Sequence, residues 1–192
     1  MFCVLLFLLE NVIIIIVSGK EGILMSVLDV AKYIYDYYSE VMKESVDELK
    51  LHKLVYLCQR EKLALQNEAL FLEPLQGWKH GPVSLDVRRC FKKEMQHSIK
   101  NIKEEDAYII RNVVNQYASL SSWDLAELTH KEESWQNSRK GLREYENGNR
   151  ILSLEDIRKD AEKVRPFDYT WGMYYDEFED LEDLGVEECL VR

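Results

Sequence analysis

Hydrophobic positions recur along most of this chain at helical spacing, and the segments where that spacing fails are few. In SVLDVAKYIYDYYSEVMK, Val27, Val30, Ile34, Tyr38 and Val41 fall on one face, with Ser26 placed as an N-cap and Asp29 in the first turn. LKLHKLVYLCQREKLALQ, residues 49–66, reads as a second helix. Leu51, Leu54, Val55, Cys58 and Leu65 share one face, which Tyr56 and Leu57 widen, and Asn67 can end it. A helix apolar around that much of its circumference belongs at the centre of a core.

Further on, Val83, Val87, Cys90, Phe91 and Met95 line up in VSLDVRRCFKKEM. From Glu104 to Leu120 an acidic first turn precedes a stripe of Ala107, Ile110, Val113, Val114, Tyr117 and Leu120. SSWDLAELTH is a short helix capped by Ser121 or Ser122. Glu132 to Gly141 holds a turn and another short helical piece, and NGN marks a loop. Ser153 and Asp156 have the order of a capped start for a helix that must stop before Arg165-Pro166.

The helical period is lost in ALFLEPLQGWKHGPV. Its alternation predicts a small β-hairpin between Leu70 and Lys79, with Pro74 at a bend. Gly81-Pro82 reads as a turn into the next helix, with Pro82 near the first position, where a missing N–H costs nothing. The expected fold is mainly α (α+β): one compact domain of five or six helices with a small hairpin over residues 25–165, then a tail over 166–192.

Composition changes this picture in three places. Eight glycines and three prolines are few breakers for 192 residues, which favours long helices over a many-turned sandwich. The net charge of −10 is uneven: Pro166 to Arg192 holds nine carboxylates and one arginine, while the remainder is nearly neutral. Without clustered Lys and Arg the chain is a poor nucleic-acid binder and better suited to a basic protein surface. Cys3, Cys58, Cys90 and Cys189 are scattered with no CxxC pair, so neither a zinc site nor a disulfide framework is expected, and Cys58 and Cys90 read as buried thiols.

The two ends need separate readings. MFCVLLFLLENVIIIIVSG lacks a basic first region and carries Glu10 in its middle, which fits a secretory signal poorly. KEGILM encodes a possible ribosome-binding sequence at translation-start distance before Met25, so residues 1–24 read as an upstream extension, against the rival of a cleaved signal or membrane anchor. The tail mixes Tyr169, Trp171, Tyr174, Tyr175 and Phe178 with its acids. Purely solvating tails lack aromatics, so this one can dock on its own domain or on a partner.

Two stretches invite a chemical reading. In GWKHGPV, catalysis by His80 needs an orienting carboxylate and a nucleophile or metal, and the only serine at hand, Ser84, has no GxSxG elbow. Trp78, Gly81 and Pro82 read as a structural corner, with Trp78 as an anchor under the turn and Lys79 and His80 free to meet a partner. In LTHKEESW, Thr129 and His130 end a helix that Trp135 can cover. A metal reading would gather His52, His80, His130 and Cys58 or Cys90, none at the spacing that puts two ligands on one helix face; no metal or cofactor is expected. Tyr33, Tyr35, Tyr37 and Tyr38 cannot all point inward. Tyr33 and Tyr37 are therefore candidate contacts for a partner or for the tail.

Three stretches in order resemble the Panacea domain of SocA-like and GepA-type phage-associated proteins: residues 50–91, with Lys50 to Tyr56 (KLHKLVY) and Trp78 to Val83 (WKHGPV), residues 112–136, with Leu125 to His130 (LAELTH) and Trp135, and ILSLEDI at 151–157. The resemblance runs from about Leu28 to Val164. Cys58 and Arg60 depart from the small or aromatic residues common in the family, and His80 from a common tyrosine. The resemblance implies a cytoplasmic, non-enzymatic interaction module: an antitoxin that binds a cognate protein toxin encoded by a neighbouring gene, with no nucleic acid and no membrane as partner. The alternatives are a proteolytic adaptor that delivers its partner to a protease, and a small hydrolase using His80 or His130.

Overall fold

The computed structural model of the chain describes residues 25–100, 102–165 and 167–168. Within them, seven helices and one two-stranded antiparallel hairpin follow in the order α1 (Val27–Met42), α2 (Glu48–Gln66), β1 (Gln76–Trp78), β2 (Gly81–Val83), α3 (Leu85–Phe91), α4 (Glu104–Tyr117), α5 (Ser122–His130), α6 (Glu133–Ser138) and α7 (Leu154–Ala161). The readings of residues 1–24 and of the tail aromatics Tyr169, Trp171, Tyr174, Tyr175 and Phe178 lie outside the described residues.

Local chemistry places most helix starts. Ser26 and Asp29 form a capping box for α1, Ser121 and Asp124 one for α5, and the hydroxyls of Ser84 and Ser153 cap α3 and α7. Asn67 ends α2 in the left-handed conformation, at φ 54°. The helix α6 has no cap of its own. Asp160 of α7 supplies it by accepting from the backbone N–H of Glu133 at 2.7 Å and of Ser134 at 2.9 Å.

The core is organised around α2, which packs against α1, α3, α4, α5, α7 and β2. Every residue from Lys50 to Leu63 is buried, polar ones included. Burying a polar group is costly unless it is bonded, and α2 distributes its polar groups as ties to its neighbours. Lys50 Nζ donates to Tyr38 Oη and to the Ala118 carbonyl, both at 3.0 Å. Gln59 accepts from the N–H of Leu70 and Phe71 and donates to the Phe71 carbonyl, holding the connection that leaves α2. Arg60 pairs with Glu132, Lys62 with Asp106 at 2.6 Å, and Tyr56 Oη donates to Asp160 at 3.1 Å.

The expected hairpin exists, but it lies later in the chain than Leu70 to Lys79. Its strands pair Gln76 with Val83, Gly77 with Pro82 and Trp78 with Gly81, and its tip is Lys79-His80. Pro82 is therefore a strand residue and not the first residue of a helix. It sits where the missing N–H is harmless: the opposite residue, Gly77, turns its own N–H outward to the Arg150 carbonyl at 2.9 Å, so this pair exchanges no ladder bond. Val41 and Leu65, expected on apolar faces, are exposed, each in the last turn of its helix. Cys58 is buried, as expected, whereas Cys90 is only half-buried; both are free thiols. Five or six helices become seven because α3 and α6 are short pieces that stand as helices of their own.

Candidate functional site

Lys53 is the centre of the corner that the hairpin makes with α2 and α5. Its side chain is fully buried and its Nζ donates to the Pro82 carbonyl at 3.1 Å. Gly81 passes directly over it: a Cβ there would lie 2.6 Å from Lys53 Cε and 2.7 Å from Thr129 Oγ1. Gly81 also has φ +103°, so both its backbone and the space around it require glycine. Thr129 closes the other side, fully buried, with its hydroxyl turned back to the Ala126 carbonyl at 2.9 Å.

A second layer locks the hairpin from α6. Trp135 Nε1 donates to the Trp78 carbonyl at 2.8 Å while its ring stacks on His130 at 4.0 Å and 14°. Arg139 covers the other part of this indole at 5.3 Å, donates weakly to the Gly77 carbonyl, and reaches the carbonyl of Glu146 at 2.7 Å. Trp135 thus covers the end of α5, as its spacing from His130 suggests. Trp78 does not sit under the turn. It is half-buried, with Arg88 of α3 over its ring at 4.8 Å and its Nε1 bonded to Gln76.

Electrostatics at this corner follow from burial and from its cations. Burial lowers the Lys53 ammonium to about 7, partly opposed by Asp47. Burial, then Lys53 and Arg88, lowers the His52 imidazole to about 3. His80 and His130 are both pushed down, by burial first and then by the cations Lys79 and Lys53 for His80 and by Lys53 for His130, with Glu127 opposing at His130. These imidazoles are neutral near pH 7. What faces them is indole: Trp123 meets His80 edge-on at 5.2 Å, and Trp135 stacks on His130. Among the described residues no group of three or more His, Cys, Asp or Glu is arranged to hold a metal ion.

The structure brings Trp78, Gly81, Pro82, Thr129, His130 and Trp135 into this one corner and leaves Lys79 half-buried and His80 exposed at its tip. Tyr33 and Tyr37 lie elsewhere, on α1. They stack at 6.2 Å, half-buried, and their hydroxyls accept from Arg111 and Asn115 of α4. Residue spacing did not single out Lys53, His52, Arg88 or Arg139. The one available signal for Lys53 was its place inside the KLHKLVY stretch of a helix that is apolar around much of its circumference.

Residues 51–136 match the family model described as antitoxin SocA-like, Panacea domain. The matched segment runs from α2 into α6 and includes Lys53, the hairpin, Thr129, His130 and Trp135; α1, α7 and Arg139 pack on it from outside the match. It is shorter than the span from Leu28 to Val164 over which the sequence resembles the family. No curated protein and no solved structure matches the chain. No helix among the described residues is long and apolar enough to cross a membrane.

Proposed function

We propose that this protein is an antitoxin that neutralises a cognate protein toxin, encoded by a neighbouring gene, through direct and stoichiometric binding. The observation that carries this reading is the match of residues 51–136 to a domain described as an antitoxin. The corner supports it in physical terms. Bonds from Lys53 and Trp135 hold the hairpin in place, and its tip residues Lys79 and His80, with the 60% exposed Trp123 of α5 beside them, are offered to a partner. Rigid aromatic and cationic groups on fixed elements are what binding hot spots are built from. Tyr33, Tyr37 and the tail residues Tyr169, Trp171, Tyr174, Tyr175 and Phe178 are further candidate contacts. The mechanism is occlusion of the toxin, with the acidic tail steering encounter with a basic face.

The test is a growth assay in which the neighbouring open reading frame is induced with and without this protein expressed from Met25. Relief of toxicity supports the reading. Toxicity unaffected by the protein, or a harmless neighbour, overturns it. Alanine at His130, which is not among the groups offered to the partner, separates binding from hydrolysis there, because a binding module keeps its rescue where an enzyme would lose it.

A further inference from the structure

A cleft of about 290 Å³ opens between the start of α2, the hairpin and α3, lined by His52, Glu48, Trp78, Lys79, His80 and Arg88 among others. His52 forms part of its lining and is 3% exposed. On one edge of its ring, Nδ1 accepts from the Ser84 N–H at 3.4 Å. A neutral ring accepting at Nδ1 carries its proton on Nε2, and that buried N–H has no hydrogen-bond partner. Glu48 Oε1 lies 3.7 Å away, too far for a bond, and Arg88 Nη1 lies 3.5 Å from the same oxygen. Two donors from different elements therefore converge on one carboxylate oxygen, which is itself buried and unbonded. Glu48 is in the first turn of α2 with its side chain 31% exposed, so it can swing outward.

We propose that this cleft binds an acidic side chain, on an extended segment of the partner protein, whose carboxylate takes the place of Glu48 between His52 and Arg88. Its volume is at the lower end of ligand pockets, roughly 300–1,000 Å³, and suits one or two side chains rather than a cofactor. Lys79 adds a second cation at the rim. The His80–Trp123 pair continues the surface beyond the cleft and favours an aromatic neighbour of the acid on the same segment. The unpartnered His52 N–H and the cations Arg88 and Lys79 complement an acid from outside the domain, and the chain's own acidic tail is the rival occupant that the test below separates. The identity of the partner as a toxin rests on the antitoxin reading; the chemistry of the cleft does not.

The test titrates the full chain with the blocked hexapeptide Gly-Phe-Glu-Glu-Phe-Gly and with its Gln-Gln counterpart, following the Trp78 indole N–H by NMR. Saturable shifts with the acidic peptide, at least tenfold weaker with the amide peptide, are expected. Arg88→Gln should weaken binding at least fivefold, Lys79→Gln should weaken it without disturbing the edge-on His80–Trp123 pair, and Glu48→Gln should tighten it twofold or more. Equal response to both peptides, no saturable response, or weaker binding by Glu48→Gln overturns the proposal. Binding that emerges only when the tail carboxylates from Asp176 to Glu188 are changed to amides assigns the cleft to the chain's own tail and also overturns it. The titration needs no toxin. A silent titration beside a rescued growth assay removes the cleft alone, and a bound peptide beside a failed rescue upholds the cleft while removing the antitoxin reading.

Discussion

Lys53 and Pro82 are joined by a single buried hydrogen bond, from an ammonium with no exposure to a carbonyl that faces away from its own hairpin. Helix α2 therefore holds the hairpin by a charge-bearing side chain at the centre of the core. The arrangement makes stability depend on pH in a definite direction.

Lys53 titrates at about 7 when folded and near 10.5 when unfolded. Between those values the unfolded chain holds a proton that the folded one lacks, so stability rises with pH across this window and the full penalty applies below it. Urea denaturation from pH 6.5 to 9.5 should show the wild type gaining on Lys53→Met, by on the order of 1–3 kcal/mol. Parallel pH profiles for the two proteins would refute the buried, depressed amine.

His52 titrates at about 3 when folded against 6.5 unfolded, so its contribution runs the same way at lower pH. Stability should fall as pH drops from 6.5 towards 3. At pH 5 the loss due to this group should be on the order of 2 kcal/mol. His52→Gln should abolish that part, and denaturation midpoints at pH 7 and pH 5 in both proteins measure it.

Gly81 and Gly141 separate backbone strain from crowding. Both have positive φ, +103° and +84°, but a Cβ at Gly141 meets nothing within 4 Å, while one at Gly81 meets Lys53 and Thr129. Gly141→Ala should cost about 1 kcal/mol, and Gly81→Ala roughly 2–4 kcal/mol. Equal thermal shifts would contradict the close approach.

Asp160 is 1% exposed and accepts from Tyr56 Oη and from two backbone N–H groups of α6. Asp160→Asn turns one acceptor into a donor facing donors. A loss of roughly 2–4 kcal/mol is expected. Hydrogen exchange at Glu133 and Ser134 should accelerate in the variant, and unchanged protection there would mean that α6 is capped by other means.

Ending the chain at Arg165 removes nine carboxylates. If these steer encounter with a basic partner, association should slow by tenfold or more at low salt and lose most of its salt dependence, with dissociation changed less. Stopped-flow rates at two ionic strengths decide this, and unchanged kinetics would take the tail out of the mechanism.

Much of the helical framework was legible because its signals are local. Ser26 with Asp29, Ser121 with Asp124, and Asn67 mark helix ends through bonds that span three or four residues. The hairpin was legible in kind but misplaced, because Gly81-Pro82 looks the same before a helix as inside a strand. Pairing with Gln76–Trp78 distinguishes the two, and the outward bond from Gly77 to Arg150, across 73 positions of chain, places Pro82 in that pairing without loss. Trp78 was misjudged for a similar reason: its partner Arg88 belongs to another element.

What the amino-acid sequence determined by itself was a mostly helical body, its capped helix ends, an acidic aromatic tail, and the residues that make up one corner. Periodicity and capping report on neighbours in the chain, and those are enough for such features. What only the tertiary structure decided was that Lys53 lies under Gly81, that Trp135 holds the Trp78 carbonyl, and that His52 and Arg88 aim at one carboxylate. Those relations join residues far apart in sequence. Burial sets their strength, and burial exists only once the helices have packed around α2.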